Sequence, residues 1–267
     1  MEINHSTEIL SNLNKINMEI YEMAYASIGT DWCENSVCSG YSRIYIILDG
    51  CGKIRCNDSE VLLEPGNIYI IPSGLKFSYE CEDYLEKLYF HVSVTLYNNY
   101  DLLSGLDKFI ILKDAQEFIS AFSECFEKNT VASLLKIKLL LHEIISTAIK
   151  SNAAFYTNIK HCSDFITKVL AFIENHLSAK LTIAEIADEM FVSVSKLQKT
   201  FKREIGVSVG KYINDSLMLL ASREVRSEKS IKDISDMLGY CDQFYFSRRF
   251  SEHFGVSPLN YRKNRIL

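Results

Sequence analysis

The sequence predicts an α+β fold in two parts: an N-terminal β-barrel with flanking helices, then an all-α domain with two helix-turn-helix units. Three observations predict it. Short β-branched and aromatic runs recur at roughly ten-residue spacing through the first hundred or so residues. Helical periodicity replaces them from about Ala115 onward. The last hundred or so residues then contain a near-repeat of themselves. The expected domains are residues 1–160 and 161–267.

The β elements come first. Arg43–Asp49 (RIYIILD) is apolar, β-branched and aromatic, and it runs into the turn Gly50-Cys51-Gly52. Lys53–Cys56, Glu60–Leu63 and Ile68–Ile71 are further short strands. Asn57-Asp58 and Pro65-Gly66 supply turn chemistry between them. Glu86–Thr95 is another. Such spacing fits a small barrel or a sandwich.

Glu86–Thr95 alternates. Lys87, Tyr89, His91 and Ser93 share one face; Leu88, Phe90, Val92 and Val94 share the other. The apolar face belongs to a core. The polar face meets either solvent or a pocket, with Arg43, Tyr45, Tyr69 and Trp32 as further lining candidates. An aromatic wall with one Arg and one His suits a hydroxylated or anionic small molecule. The competing reading is that Arg43 and His91 are satisfied structural residues.

Two helices follow. Ala115–Glu127 places Phe118, Ala121, Phe122 and Phe126 on one face. Ser133–Lys150 does the same with Leu134, Ile137, Leu141, Ile144, Ile145 and Ala148, with Leu140 beside them. That stripe covers its own domain or seams a dimer. Ser151–His161 reads as a linker.

Composition narrows the function classes. Residues 163–267 hold 16 Lys and Arg against 13 Asp and Glu, while the chain as a whole carries −5. Only the C-terminal part is therefore suited to a polyanion. The polar, acidic N-terminus lacks the pattern of a secretory signal, and no apolar run is long enough to span a bilayer. A cytoplasmic protein is expected. The eight cysteines form no C-x-x-C and read as reduced, mostly buried thiols. There is no His-x-His, and His91 is the only histidine between residues 6 and 141. No metal site, cofactor or nucleophile–base arrangement is expected, and so no enzyme.

The repeat is the most informative feature. Ile183-Ala-Glu-Ile-Ala-Asp-Glu-Met190 matches Ile231-Lys-Asp-Ile-Ser-Asp-Met-Leu238 at an offset of 48. After one inserted residue the offset is 49: Leu197 matches Phe246, Phe201 Phe250, Ile205 Phe254, Gly206-Val-Ser208 Gly255-Val-Ser257, and Tyr212 Tyr261. Each copy reads as a short helix, a tight turn and a second helix. Thr182 and Ser230 are the expected caps of the first helices. Ser193 or Ser195, and Asp242, are those of the second. Gly239 supplies a turn. Lys211–Arg226 is a long apolar-striped helix between the copies.

The second helix of each copy is amphipathic. Leu197, Phe201 and Ile205 face in while Ser195, Gln198, Lys199 and Lys202 face out. Phe246, Phe250 and Phe254 face in while Gln243, Phe244, Ser247, Arg248 and Ser251 face out. Amide and cationic side chains on one exposed face are what base edges and phosphates require. A pair of helical hairpins with solvated faces, acting as a protein adaptor, is the rival reading.

Ser230-Ile-Lys-Asp-Ile-Ser, Gly239-Tyr240, Gln243, Tyr245-Phe-Ser-Arg-Arg-Phe250, Gly255-Val-Ser-Pro258 and Tyr261-Arg262 together resemble the C-terminal signature of the AraC/XylS family of transcription regulators. The resemblance covers about residues 165–265. Carried over by motif, it implies DNA-facing positions at Ser195, Gln198 and Lys199, and at Gln243, Phe244, Tyr245, Ser247 and Arg248. Leu217 stands where many members have a basic residue. More loosely, Tyr41-Ser-Arg43, Gly50-x-Gly52, Leu63-Glu-Pro-Gly66, Ile68-Tyr-Ile-Ile-Pro72 and Tyr89-Phe-His91 resemble the cupin-like sensor domains of that family. The resemblance implies a barrel that binds a small-molecule effector, with Trp32, Arg43, Tyr45, Tyr69, Tyr89 and His91 as candidates. It also implies a homodimer, double-stranded DNA and RNA polymerase as partners, and activation as a mode.

Overall fold

The computed structural model describes residues 13–14, 16–57, 59–96, 100–104, 106–128, 130–152 and 163–263. Most of the expected linker, Asp58 and Cys162 lie outside these residues. Two compact units emerge, one from residues 20–92 and 103–157, the other from residues 158–267 with 1–19 and 93–102.

The strands are β1 (Ile16–Gly29), β2 (Cys33–Val37), β3 (Ser42–Gly50), β4 (Gly52–Cys56), β5 (Ser59–Leu63), β6 (Ile68–Ile71), β7 (Phe77–Glu80), β8 (Tyr84–Leu96), β9 (Tyr100–Asp101) and β10 (Ile110–Leu112). They build two antiparallel sheets rather than the closed barrel expected. One runs β1-β8-β3-β6-β10, with β9 on β8; the other runs β2-β7-β4-β5. The chain leaves the first sheet at the end of β3. There the pairing with β8 slips between Ile47 and Asp49, and Gly50 takes φ 74°. A Cβ at Gly50 would lie 2.3 Å from the Tyr84 carbonyl oxygen, so only glycine fits. Pairing with β8 resumes at Asp49 and Gly50, and the glycine turn then carries the chain into β4 of the second sheet.

β1 was not legible. Its fourteen residues are mostly exposed or half-buried, so Glu, Tyr and Ala alternate without a strong apolar face. It is an edge strand of the first sheet, and edges tolerate such a pattern. β2, β7 and β10 are short and were also missed.

The sandwich core is aromatic. Trp32, Tyr45, Tyr69, Phe77, Tyr79, Tyr89 and Phe109 cluster with Ile47, Ile54, Leu63 and Ile71. On the opposite face of β8, Phe90 meets Phe122 of α1 (Gln116–Lys128) at 5.1 Å between centroids. α2 (Val131–Ser151) packs on α1 and buries Ile137, Leu140, Leu141, Ile144, Ile145 and Ala148. Leu134, expected on that buried stripe, is instead 49% exposed beside Val131, Leu135 and Leu139, which are also exposed.

The C-terminal unit holds α3 (Asp164–Asn175), α4 (Ile183–Glu189), α5 (Val194–Ile205), α6 (Val209–Val225), α7 (Ile231–Met237), α8 (Gln243–Phe254) and α9 (Pro258–Lys263). Each cap has its reason. Thr182 and Glu185 form a capping box at α4. The Ser193 hydroxyl accepts from the Lys196 N–H at α5, and Ser230 accepts from Asp233 at α7. Gly206 and Gly255 end α5 and α8 in the left-handed conformation.

Candidate nucleic-acid interface and the inner face of the first sheet

The two repeats adopt the same structure. α4 and α5 are joined by residues 190–193, α7 and α8 by residues 238–242. The inserted residue therefore lies in the second turn. In both turns the backbone bonds coincide: Val192 N–H to the Ala187 carbonyl and Tyr240 N–H to that of Ser235, both 3.0 Å. Behind each second helix a phenylalanine meets a tyrosine edge-on. Phe201–Tyr212 are 5.4 Å apart and Phe250–Tyr261 5.1 Å. Leu197, Phe201, Phe246, Phe250 and Phe254 are wholly buried. This packing fixes which face of α5 and α8 turns outward.

The outward faces carry the expected residues. Ser195, Gln198, Lys199 and Lys202 on α5 are exposed. On α8, Phe244 is 78% exposed and Arg248 is exposed, while Gln243 and Ser247 are half-buried. Among the described residues, no carboxylate pairs with Lys199, Lys202 or Arg248, so their charge is free for a polyanion. By the repeat offset, Lys199 and Arg248 occupy equivalent positions. Arg248 sits over the Tyr245 ring, 5.4 Å from its centroid, which holds the guanidinium near the start of α8.

Asp242 organises that start. Its Oδ1 accepts from the Phe244 and Tyr245 N–H groups, both at 2.8 Å. The Tyr245 N–H foremost holds the carboxyl below the usual aspartate range. Tyr245 and Arg249 also line a cleft of about 200 Å³ with Ile183, Asn214 and Tyr240, and Arg249 donates to Asn214 Oδ1 at 2.9 Å. This bond ties α8 to α6. Sequence reasoning missed Arg249 because half-burial beside a carbonyl partner leaves no trace in periodicity.

In the N-terminal unit the register of β6, β3 and β8 assembles the second set of candidates. Ile71, Arg43 and His91 form one cross-strand row, and Tyr69, Tyr45 and Tyr89 the next. Ile47 and Lys87 pair in a third. Trp32 stands by, edge-on to Tyr45 at 6.1 Å and stacked on Tyr79 at 4.3 Å. All six sequence candidates thus converge, because alternate residues of paired strands share one side. Tyr69 is partly engaged elsewhere: its hydroxyl accepts from the Glu64 N–H at 2.9 Å.

Glu22 escaped the sequence reading, and Lys87, read on the same strand face as Tyr89 and His91, was not carried among the ligand candidates. Glu22 of β1 accepts from the Tyr89 hydroxyl at 2.8 Å and faces His91 Nδ1 at 2.9 Å. Lys87 is buried and lies 3.8 Å and 3.9 Å from the Trp32 and Tyr45 ring centroids. Burial raises the Tyr45 and Tyr89 hydroxyl pKa values, and that of Tyr79 to about 12.

Fold and site together define a helix-turn-helix DNA-binding regulator with an N-terminal ligand-binding domain. A helix-turn-helix domain model matches residues 186–264, and an AraC-like ligand binding domain model matches residues 39–145. The chain belongs to the AraC family of transcription regulators. It is 24% identical over 232 residues to the lactose operon transcription activator of Staphylococcus xylosus, covering 83% of each chain. It is 22% identical to the Msm operon regulatory protein of Streptococcus mutans, covering 96% of this chain and 98% of the relative. The crystal structure of ToxT from Vibrio cholerae O395 shares the fold, with a TM-score of 0.57 at 17% identity, over 94% of this chain and 98% of that one. No helix among the described residues is long and apolar enough to cross a membrane.

Proposed function

We propose that α5 and α8 are the two reading helices of a cytoplasmic, effector-responsive transcription activator. In this reading residues 1–160 sense and dimerise, and residues 161–267 bind DNA. Ser195, Gln198 and Lys199 meet base edges from the first helix, and Lys202 meets phosphate. Gln243, Phe244, Tyr245, Ser247 and Arg248 do this from the second. Glutamine suits the adenine edge, arginine and lysine the guanine edge, and an exposed phenylalanine the thymine methyl. The carrying observation is that two copies of one packed unit each leave a cation unpaired at the same outward position, Lys199 and Arg248.

The ligand enters between the sheets and meets two adjacent rows, Arg43 with His91 and Tyr45 with Tyr89, with Trp32 opposite and Tyr69 behind. Its binding shifts the population that holds DNA productively. RNA polymerase is the downstream partner. A homodimer forms through the outer face of α2, where Val131, Leu134, Leu135 and Leu139 are exposed together.

Selection of the full chain on a randomised duplex pool at several salt concentrations tests the DNA reading. Enrichment of two sequence elements about one helical turn apart is the expected result. Binding without enrichment, or no binding, overturns it.

A further inference from the structure

Two basic side chains lie inside the N-terminal sandwich with no carboxylate partner among the described residues. Lys87 is 2% exposed and Arg43 8% exposed. Arg43 gives Nε and Nη2 to the Ser39 hydroxyl at 3.1 Å and 3.0 Å, and Nη1 to the Tyr45 hydroxyl at 3.3 Å. Lys87 Nζ lies over rings: Trp32, Tyr45 and, at 5.7 Å, Tyr89. Neither meets a carboxylate among the described residues; Glu22 is engaged by Tyr89 and His91. Tyr45 joins the two cations, since Lys87 covers its ring and Arg43 holds its hydroxyl.

Magnitudes decide how this arrangement is read. Ring faces compensate a desolvated ammonium only in part, whereas burying an unpaired charge costs several times as much. Burial accordingly drives the Lys87 pKa well below its ordinary value, with Arg43 adding to the effect. A second cation close by makes this a poor place for a lysine whose only task is packing.

We propose that Lys87 and Arg43 form the acid-binding end of the ligand site, so that the effector is a small organic acid whose carboxylate lies between them against Tyr45. This rests on the reading of the N-terminal unit as the effector domain and names the class of effector. The aromatic wall of Trp32, Tyr79 and Tyr89 covers the rest of the molecule. His91, the cross-strand neighbour of Arg43, and Glu22, which faces it, border the Arg43 end and are placed for a hydroxyl. Binding recharges Lys87, so the protein takes up a proton with the acid, and affinity falls as pH rises.

Thermal shift and calorimetry on the full chain test this with acetate and benzoate, each against its neutral counterpart, acetamide and benzyl alcohol, at constant ionic strength. Both carboxylates should raise the Tm of the wild type, and the neutral probes should not. Lys87→Met should weaken benzoate binding roughly 10- to 100-fold, and Lys87→Arg should restore part of it. Calorimetry in buffers of different ionisation enthalpy should show proton uptake with the wild type and none with Lys87→Met. A wild type indifferent to both carboxylates, neutral probes that bind as well, or a Lys87→Met chain that binds benzoate unchanged overturns the proposal. If Lys87→Met fails to fold, the neutral-probe comparison and the proton uptake of the wild type decide alone. DNA selection is scored separately. A chain that selects an operator but ignores carboxylates loses the organic-acid assignment and keeps the regulator reading; the opposite pattern does the reverse.

Discussion

Phe191 and Gly239 occupy the same position in the two helix-turn-helix turns, and both have left-handed backbone, with φ 53° and 81°. Each donates its N–H to an aspartate carbonyl, Phe191 to Asp188 and Gly239 to Asp236, both at 3.0 Å. The turn imposes the conformation; only the second copy has the residue suited to it. A left-handed non-glycine residue costs about 1–2 kcal/mol, and Phe191 at 95% exposure recovers little of that by packing. Phe191→Gly should therefore stabilise the chain by about 1 kcal/mol. Gly239→Ala should destabilise it by about 1–2 kcal/mol, because the added Cβ would also sit 3.2 Å from Ser178 Cβ. Urea unfolding of the two variants checks both signs.

The caps of α5 and α8 differ in chemistry. Ser193→Ala removes the acceptor for the Lys196 N–H and should cost about 1 kcal/mol. At α8 the cap is a carboxylate with a lowered pKa. Its contribution is present above the ordinary aspartate range and is lost as pH falls through the lower folded value. Asp242→Asn keeps an acceptor and should flatten that acid dependence of Tm, while Asp242→Ala should lower Tm at neutral pH as well.

Base readout and phosphate contact differ in their salt response. Arg248→Ala should cost about 1–3 kcal/mol of specific binding and relax the preference at one base position. Lys202→Ala should weaken binding to all sequences alike and lower the slope of log K against log salt by about 0.9. Quantitative binding titrations on one operator and one scrambled duplex separate the two.

The outer face of α2 offers a test of assembly. Leu135 is 65% exposed on the side away from the buried Ile137, Leu141 and Ile144, so Leu135→Glu should leave the fold intact and shift sedimentation from dimer to monomer. Phe122→Ala, at a wholly buried ring against Phe90, should instead cost about 3–5 kcal/mol of stability whatever the oligomeric state.

The sequence by itself determined the repeat, its helices and the faces they turn outward. Capping residues, left-handed glycines and the i, i+4, i+8 spacing of Leu197, Phe201 and Ile205 act locally, so Thr182, Ser230, Asp242 and the outward cations of α5 and α8 were all legible. β3 and β8 were legible too, β3 as a continuous β-branched and aromatic run and β8 by its alternation. Tertiary structure decided the rest. The turn that leads from β3 into the second sheet needs glycine at position 50 because Tyr84, thirty-four residues away, closes the space a Cβ would take. β1 is a strand because an edge of β8 accepts it, not because its own pattern demands it. Glu22 reaches Tyr89 and His91 across 67 and 69 residues of chain, and Lys87 is left among rings by the pairing of β8 with β3. Local physics wrote the helices and the residues they display. Which charges were buried, and beside what, was settled only when distant strands paired.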